Sequence, residues 1–213
     1  MFLNRGKVVV SLVMIPVIIL YFFADKILIA LDQDPEIAII ARRYCIVLIP
    51  GIYAQSLFDA TRKFLSAQFE IKMNLYIQLC TLILHFLWCY LFIVVFDWRE
   101  VGAAIATNIT YIVNMICLDL YCYNSKKMQR THKLMPDRRS LENIGTYLAI
   151  GIPGACMLCF EWWVFELLAV FSGLMSVEAL GAEIIIVNIV SLIFMIPLGT
   201  GYAASAFTGY FLG

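Results

Sequence analysis

Long apolar runs alternate with short polar segments along the whole chain, and this alternation predicts its architecture. Each run is about twenty residues or longer, the length that an α-helix needs to cross a bilayer. The two-residue alternation typical of outer-membrane strands does not compete with these runs. We therefore expect an all-α, polytopic membrane helix bundle with six transmembrane helices, at residues 8–31, 37–65, 73–96, 101–123, 144–172 and 179–211.

Two carboxylates interrupt the fifth apolar run, and they are the strongest chemical signal in the chain. Glu161 and Glu166 lie in a stretch, residues 143–173, that has no other charged residue. A carboxylate in mid-bilayer costs several kcal/mol, because hydrocarbon cannot solvate it. Such a residue is expected to face a protein-lined or wet cavity, so the pattern predicts a proton- or cation-binding site.

The spacing of these acids indicates different surroundings for each. Five residues of helix correspond to about 140° of rotation and about 7.5 Å of rise, so Glu161 and Glu166 do not share a face. Asn188 falls near the middle of the sixth run. Its amide is a candidate for binding a cation or a protonated carboxyl, and equally for an interhelical hydrogen bond. Trp162 and Trp163 lie between the two acids, and their ring faces suit organic cations.

Proline and glycine interrupt most of the predicted spans. A proline within a helix removes one backbone hydrogen bond and clashes with the preceding turn, so each is a candidate hinge or site of unwinding. In transporters such interruptions expose backbone groups to a central cavity. The pattern favours a moving bundle, although any single kink could serve packing alone; the principal positions are Pro50, Pro153, Pro197 and Gly199.

Other polar residues within the spans indicate a function less specifically. His85 is a candidate proton relay, but a lone histidine on an apolar helix is more often a packing residue with its hydrogen bonds satisfied. Asp59 and Asp119 lie towards the ends of their spans, where ion pairs with Arg62, Lys63 or Lys126 are expected. A structural pair at the membrane interface is favoured over a gate.

Composition and charge further restrict the class of protein. Apolar residues make up 63% of the 213 residues, charged residues 14%, and mean hydropathy is +0.90, far from the balance of soluble proteins. The formal net charge of zero leaves no basic surface for nucleic acid. Of the 15 Lys and Arg residues, eleven are on the side that holds the amino terminus and four on the other. The positive-inside rule then places both termini in the cytoplasm.

The chain resembles the multidrug and toxic compound extrusion (MATE) family, in its eukaryotic branch. The most specific element is Glu161-Trp162-Trp163-x-x-Glu166, preceded by Pro153. Weaker matches follow in family order over nearly the whole chain, at Tyr44, Pro50, Arg62, Phe64, Leu65, Gln68, Ser172, Gly173, Leu180, Gly181, Ala182, Ile196, Pro197, Gly199, Ala203, Ser205, Gly209 and Gly213.

The resemblance implies two six-helix lobes that face a central cavity. The six spans resemble family helices three to eight, so residues 1–124 hold the last four helices of a first lobe. Residues 125–142 form a basic cytoplasmic loop between the lobes, and residues 143–213 hold the first two helices of a second lobe. Helices one, two and nine to twelve have no counterpart here. The chain departs from the family pattern at Asn188, where some animal members carry an acid, and at Ser66 and Lys72, which stand for Gln and Pro.

The implied function is secondary active export of organic cations, xenobiotics or metabolites in exchange for protons or sodium. No cofactor beyond that coupling ion is implied. Glu161, Glu166 and Asn188 would bind the proton or cation, and Trp162, Trp163 and Tyr53 are candidates for the substrate cavity. The partners are the lipid bilayer, a small solute, and either the missing lobe helices or a second copy. Two alternatives stay open: a truncated fragment or subunit without transport of its own, and an intramembrane enzyme, which no recognisable catalytic motif supports.

Overall fold

The computed structural model describes residues 2–125 and 144–212, and both parts are helical throughout except for short connections. The helices are α1 (Phe2–Phe22), α2 (Ala24–Ala30), α3 (Pro35–Ala67), α4 (Lys72–Cys89), α5 (Arg99–Asn124), α6 (Ile144–Met175) and α7 (Val177–Leu212). A π-helical segment, Tyr90–Val95, continues α4. The predicted all-α class is confirmed.

Six of these helices, in the described part of the chain, are long and apolar enough to cross a membrane, with spans of 20 to 33 residues. Five of them match predicted runs, whereas the first predicted run, 8–31, is divided between α1 and the short helix α2. The first run was predicted to begin at Val8, and this boundary is wrong, because α1 begins at Phe2. Arg5 and Lys7 therefore belong to the helix, and Arg5 is buried within it.

The start of α3 illustrates how the sequence sets a helix boundary. Asp34 precedes the helix with an extended backbone, and its side chain accepts a hydrogen bond from the amide of Glu36 at 2.8 Å. Pro35 occupies the first helical position, where its missing N–H costs nothing. An aspartate followed by proline is thus a favourable start for this long helix.

The chain divides into two compact units, Met1–Glu142 and Asn143–Gly213. In the first unit α3 packs along α5, with α1 and α2 also against α3 and α4 against α5. Its largest buried hydrophobic side chains form one cluster, Phe58, Leu65, Leu118 and Cys122. In the second unit α6 packs against α7. The basic segment predicted between the lobes lies almost entirely outside the described residues.

Close packing of α3 on α5 depends on one glycine. A Cβ at Gly51 would collide with the Asn108 side chain and lie 2.9 Å from Asn108 Cα. Asn108 also donates a hydrogen bond from Nδ2 to the Val47 carbonyl at 2.6 Å. The backbone of α3 next to Pro50 is therefore contacted directly by a side chain from α5.

The helices continue without interruption through the prolines that were predicted to be hinges or sites of unwinding. Pro50 lies inside α3, Pro153 inside α6 and Pro197 inside α7. The one irregular membrane helix segment in the described residues is Tyr90–Val95, which contains neither proline nor glycine. It is covered by stacked rings, with Phe92 and Trp98 centroids 5.5 Å apart and Phe96 and Trp98 centroids 5.3 Å apart.

Candidate functional site

The predicted acid Glu161 lines a small pocket between α6 and α7. The pocket has a volume of about 70 Å³, and its walls are mainly aromatic and aliphatic: Glu161, Trp162 and Phe165 from α6, and Val190, Ser191 and Phe194 from α7. Glu161 contributes the carboxylate of this lining, and Ser191 contributes its hydroxyl. Glu161 is an exposed residue as well as part of the pocket wall, so its carboxylate is accessible to a small ion.

The pocket volume restricts what this site can hold. Pockets for drug-sized molecules usually measure about 300–1,000 Å³, whereas a water molecule occupies about 30 Å³ in the liquid. A space of about 70 Å³ fits a proton with one or two waters, or a small cation. The geometry therefore suits a small ion better than an organic solute.

The structure brings together only some of the residues that were predicted to form the site. Trp162 lies in the pocket wall beside Glu161, with its ring 6.2 Å from that of Phe165. Trp163 contacts Phe160 edge-on instead, at 5.9 Å between centroids. Glu166 and Asn188 are exposed on their helices, and the Asn188 amide donates to the Ile184 carbonyl of its own helix at 2.8 Å. Neither residue lines the pocket.

Ser191 was missed in the sequence, although it is the polar residue that α7 contributes to the pocket. It follows Asn188 by three positions, so the two lie on neighbouring parts of one helical face. A search for polar residues at helical spacing around Asn188 would have found it.

Tyr53, the remaining predicted cavity residue, lies in the first unit. Its hydroxyl is 3.0 Å from Ser11 Oγ, which links α3 to α1. The residue is 38% exposed, so it combines an interhelical contact with an accessible face.

The two acids near the span ends have different partners. Asp59 forms the predicted pair with Arg62 one turn later, at 2.8 Å. Asp119 pairs with Lys7, whose Nζ lies 3.0 Å from its Oδ1, and the expected partner Lys126 lies outside the described residues. The sequence suggested no such partner, because Lys7 is 112 positions away and was assigned to a loop.

Comparison with known proteins identifies the family. The family model described as MatE matches residues 2–91 and 153–213. The chain belongs to the MatE family. It is 33% identical to Protein DETOXIFICATION 3 of Arabidopsis thaliana over 88% of this chain, and 34% identical to Protein DETOXIFICATION 5 of the same plant over 88%. The predicted recognition of a eukaryotic MATE sequence is confirmed.

A solved MatE structure also matches. The chain superposes with a TM-score of 0.85 on the crystal structure titled as the eukaryotic MATE transporter AtDTX14, at 28% identity, covering 96% of this chain and 46% of that one. This MatE chain spans about 40% of the length of Protein DETOXIFICATION 3 and 39% of Protein DETOXIFICATION 5. Family membership together with six membrane-length helices makes it a multi-pass membrane protein.

The MatE chain has a second polar region, in its first unit, that the sequence interpretation missed. Thr81 Oγ1 donates to Asn114 Oδ1 at 2.7 Å, and His85 Nδ1 lies 2.9 Å from Thr110 Oγ1. The other ring nitrogen of His85 is 3.4 Å from Cys89 Sγ. Both ring nitrogens thus have partners, which supports the packing interpretation of His85. The missed signal was the presence of polar residues on both α4 and α5 at helical spacing.

Proposed function

We propose that this chain supplies helices three to eight of a secondary active transporter that exports small solutes by alternating access, in exchange for protons or sodium. Family membership supports this proposal. So do the relatives, whose names include DETOXIFICATION and MATE transporter. The six apolar helices provide the membrane-embedded scaffold that such a transporter needs.

Glu161 carries the coupling step in this proposal. Its position in the narrow pocket with Ser191 is the single observation on which the assignment rests. A carboxylate there can bind a proton or a cation but not both, since each neutralises the same charge. Loss of the proton on one side of the membrane and its return on the other would couple ion movement to the two orientations of the protein.

Organic cations are the proposed solutes, and they would bind outside the small pocket. Trp163 is 57% exposed and Glu166 is exposed on the same helix. An aromatic face attracts a cation by about 0.5–2 kcal/mol, depending on desolvation, and a nearby carboxylate adds to this. Asn188 would contribute as a polar neighbour on α7 if its amide left the Ile184 carbonyl.

Transport is proposed to require more helices than the two units contain. The first unit contributes four membrane-length helices and the second contributes two. These correspond to parts of different lobes, so a cavity between lobes needs the remaining lobe helices or a second copy. Both termini are placed in the cytoplasm, on the basis of the Lys and Arg distribution.

Carbodiimide labelling tests the Glu161 site on the chain itself. Dicyclohexylcarbodiimide reacts with protonated carboxyls in apolar surroundings, and mass spectrometry locates the modified residue. We expect Glu161 to be labelled in detergent and to be protected by millimolar sodium. Glu166, the matched control on the same helix, should show no protection. Equal labelling of both acids without protection would contradict the assignment.

A further inference from the structure

Cys89 and His85 form a hydrogen-bonded pair on one face of α4. The two residues are four positions apart, so they are neighbours on the helix surface, and Cys89 Sγ lies 3.4 Å from His85 Nε2. Both residues are half-buried. A thiol beside an imidazole becomes a nucleophile when the ring can take the thiol proton. The direction of this hydrogen bond therefore decides whether the pair can react.

The hydrogen bonds of Thr110 fix the tautomer of His85. The Thr110 hydroxyl donates its one hydrogen to the Ala106 carbonyl of its own helix, at 3.0 Å. In the 2.9 Å contact between Thr110 Oγ1 and His85 Nδ1, the ring nitrogen is then the donor. A neutral imidazole carries a single N–H, so its Nε2 holds a lone pair. The Cys89 thiol consequently donates to His85, and the ring is placed to accept the proton.

This order of groups is the one that activates a nucleophile. A base must lie within hydrogen-bond reach of the nucleophile and must itself be oriented by a third group. Thr110, on the neighbouring helix α5, is the positioning residue for His85. Both also belong to the described lining of a cleft between α4 and α5, whereas Cys89 does not. The thiol is therefore reached from outside that cleft.

The surroundings of Cys89 on α4 are aromatic and accessible. Phe86 precedes it by three positions, so the two are neighbours on the helix surface. Phe86 is 70% exposed and the adjoining Tyr90 is 60% exposed. The π-helical segment Tyr90–Val95 begins directly after the thiol, and such segments are frequent at functional sites. An apolar reagent dissolved in the bilayer would meet these exposed rings and the thiol beside them.

We infer that Cys89 is a covalent modification site for apolar α,β-unsaturated carbonyl compounds, with His85 as its base. The thiol proton passes to Nε2 while the sulfur forms a bond to the β-carbon. The electron pair of the carbon–carbon double bond moves to the α-carbon, which then takes the proton from the imidazolium. The product is a thioether, no atom leaves, and the ring returns to its neutral form. The site does not involve Glu161 and does not depend on the proposed transport.

Site-resolved alkylation of the purified 213-residue chain in lipid nanodiscs tests the inference. The probe is trans-2-nonenal, borohydride reduction fixes the adducts, and mass spectrometry follows each cysteine with time. Cys80 is the matched internal control, because it is an exposed thiol on the same helix with Leu84 instead of histidine four positions later. A positioned base accelerates a reaction by about 10²–10⁴-fold. We expect Cys89 to react about tenfold faster than Cys80, although it is less exposed.

Two variants separate the base from a side chain that only packs. His85→Asn keeps an amide donor near the position of Nδ1 but removes Nε2, so the Cys89 rate should fall about tenfold while the Cys80 rate stays unchanged. Added imidazole should restore part of the loss, which a purely structural role of His85 would not allow. If thermal unfolding shows that His85→Asn is misfolded, Thr110→Val replaces it. That change removes the acceptor that fixes the tautomer, and a fall of about threefold is expected.

Three results would overturn the inference. The first is a Cys89 rate no higher than the Cys80 rate in the same sample. The second is a Cys89 rate that stays unchanged in a correctly folded His85→Asn or Thr110→Val chain. The third is an adduct on the His85 ring instead of on the thiol, because the imidazole would then be the nucleophile and not the base.

Discussion

Lys7 and Asp119 form an ion pair that joins the first and the fifth helix, with Nζ 3.0 Å from Oδ1 and 3.3 Å from Oδ2. Thr61 on the intervening helix α3 lies 3.5 Å from the same carboxylate. The two charged side chains are only 13% and 20% exposed. Three helices are therefore connected through one carboxylate near their ends.

The first prediction concerns this ion pair. Lys7→Met should destabilise the chain by about 3 kcal/mol, because it removes the cation that lies 3.0 Å from the largely buried carboxylate of Asp119. The double variant Lys7→Met with Asp119→Leu should recover most of that loss, since it removes both charges. Thermal unfolding in detergent measures both variants. A single variant as stable as the unmodified chain would show that the pair contributes nothing.

The second prediction concerns the contact between α3 and α5. Gly51→Ala should destabilise the first unit by about 1–3 kcal/mol, because the new Cβ has no room beside Asn108 and the helices must separate. Gly181→Ala is the matched control: it is also a helical glycine, but nothing lies within 4 Å of its added Cβ. The control should be neutral or slightly stabilising. Similar unfolding temperatures for the two variants would refute the close approach.

The third prediction concerns topology. In a cysteine-free background, Ser125→Cys should react with a membrane-impermeant maleimide only after the cells are opened. Ser176→Cys, in the connection between α6 and α7, should react from outside. The expectation follows from the excess of Lys and Arg on the side of the amino terminus. Labelling of Ser125→Cys from outside intact cells would reverse the orientation.

The fourth prediction concerns the chain on its own. Reconstituted into liposomes with a proton gradient, the 213 residues should not move ethidium, since on the proposed assignment they supply only part of each lobe. Protein-free liposomes give the baseline. Gradient-driven movement that disappears in Glu161→Gln would contradict this prediction and would favour a transporter assembled from two copies.

The fold was largely predictable because the bilayer imposes a simple rule on sequence. A membrane helix must be apolar over about twenty residues, so six spans could be identified from hydrophobicity alone. The start of α1 was misplaced because Arg5 and Lys7 look like loop residues, whereas burial and a distant aspartate accommodate them within the helix. Long-range partners of this kind are set by packing and are not visible in local patterns.

The candidate site was only partly predictable. The cost of a charge in hydrocarbon singled out Glu161, and the structure places it in a pocket with Trp162. Rotation along α6 keeps Glu166 out of that pocket, as the five-residue spacing indicated. The cleft of α4 and α5 was missed because each of its residues is unremarkable alone. Only their shared helical spacing on two neighbouring helices reveals the polar face.

The most direct measurement is proton-driven export by a complete transporter that contains this chain. We would insert the 213 residues in place of the matching segment of AtDTX14, which supplies the remaining helices, and follow ethidium export from vesicles under a pH gradient. The chimera should export, Glu166→Gln should retain measurable export, and Glu161→Gln should fall to the level of protein-free vesicles. Normal pH-driven export by a folded Glu161→Gln chimera would contradict the central claim and leave Glu161 as a structural residue.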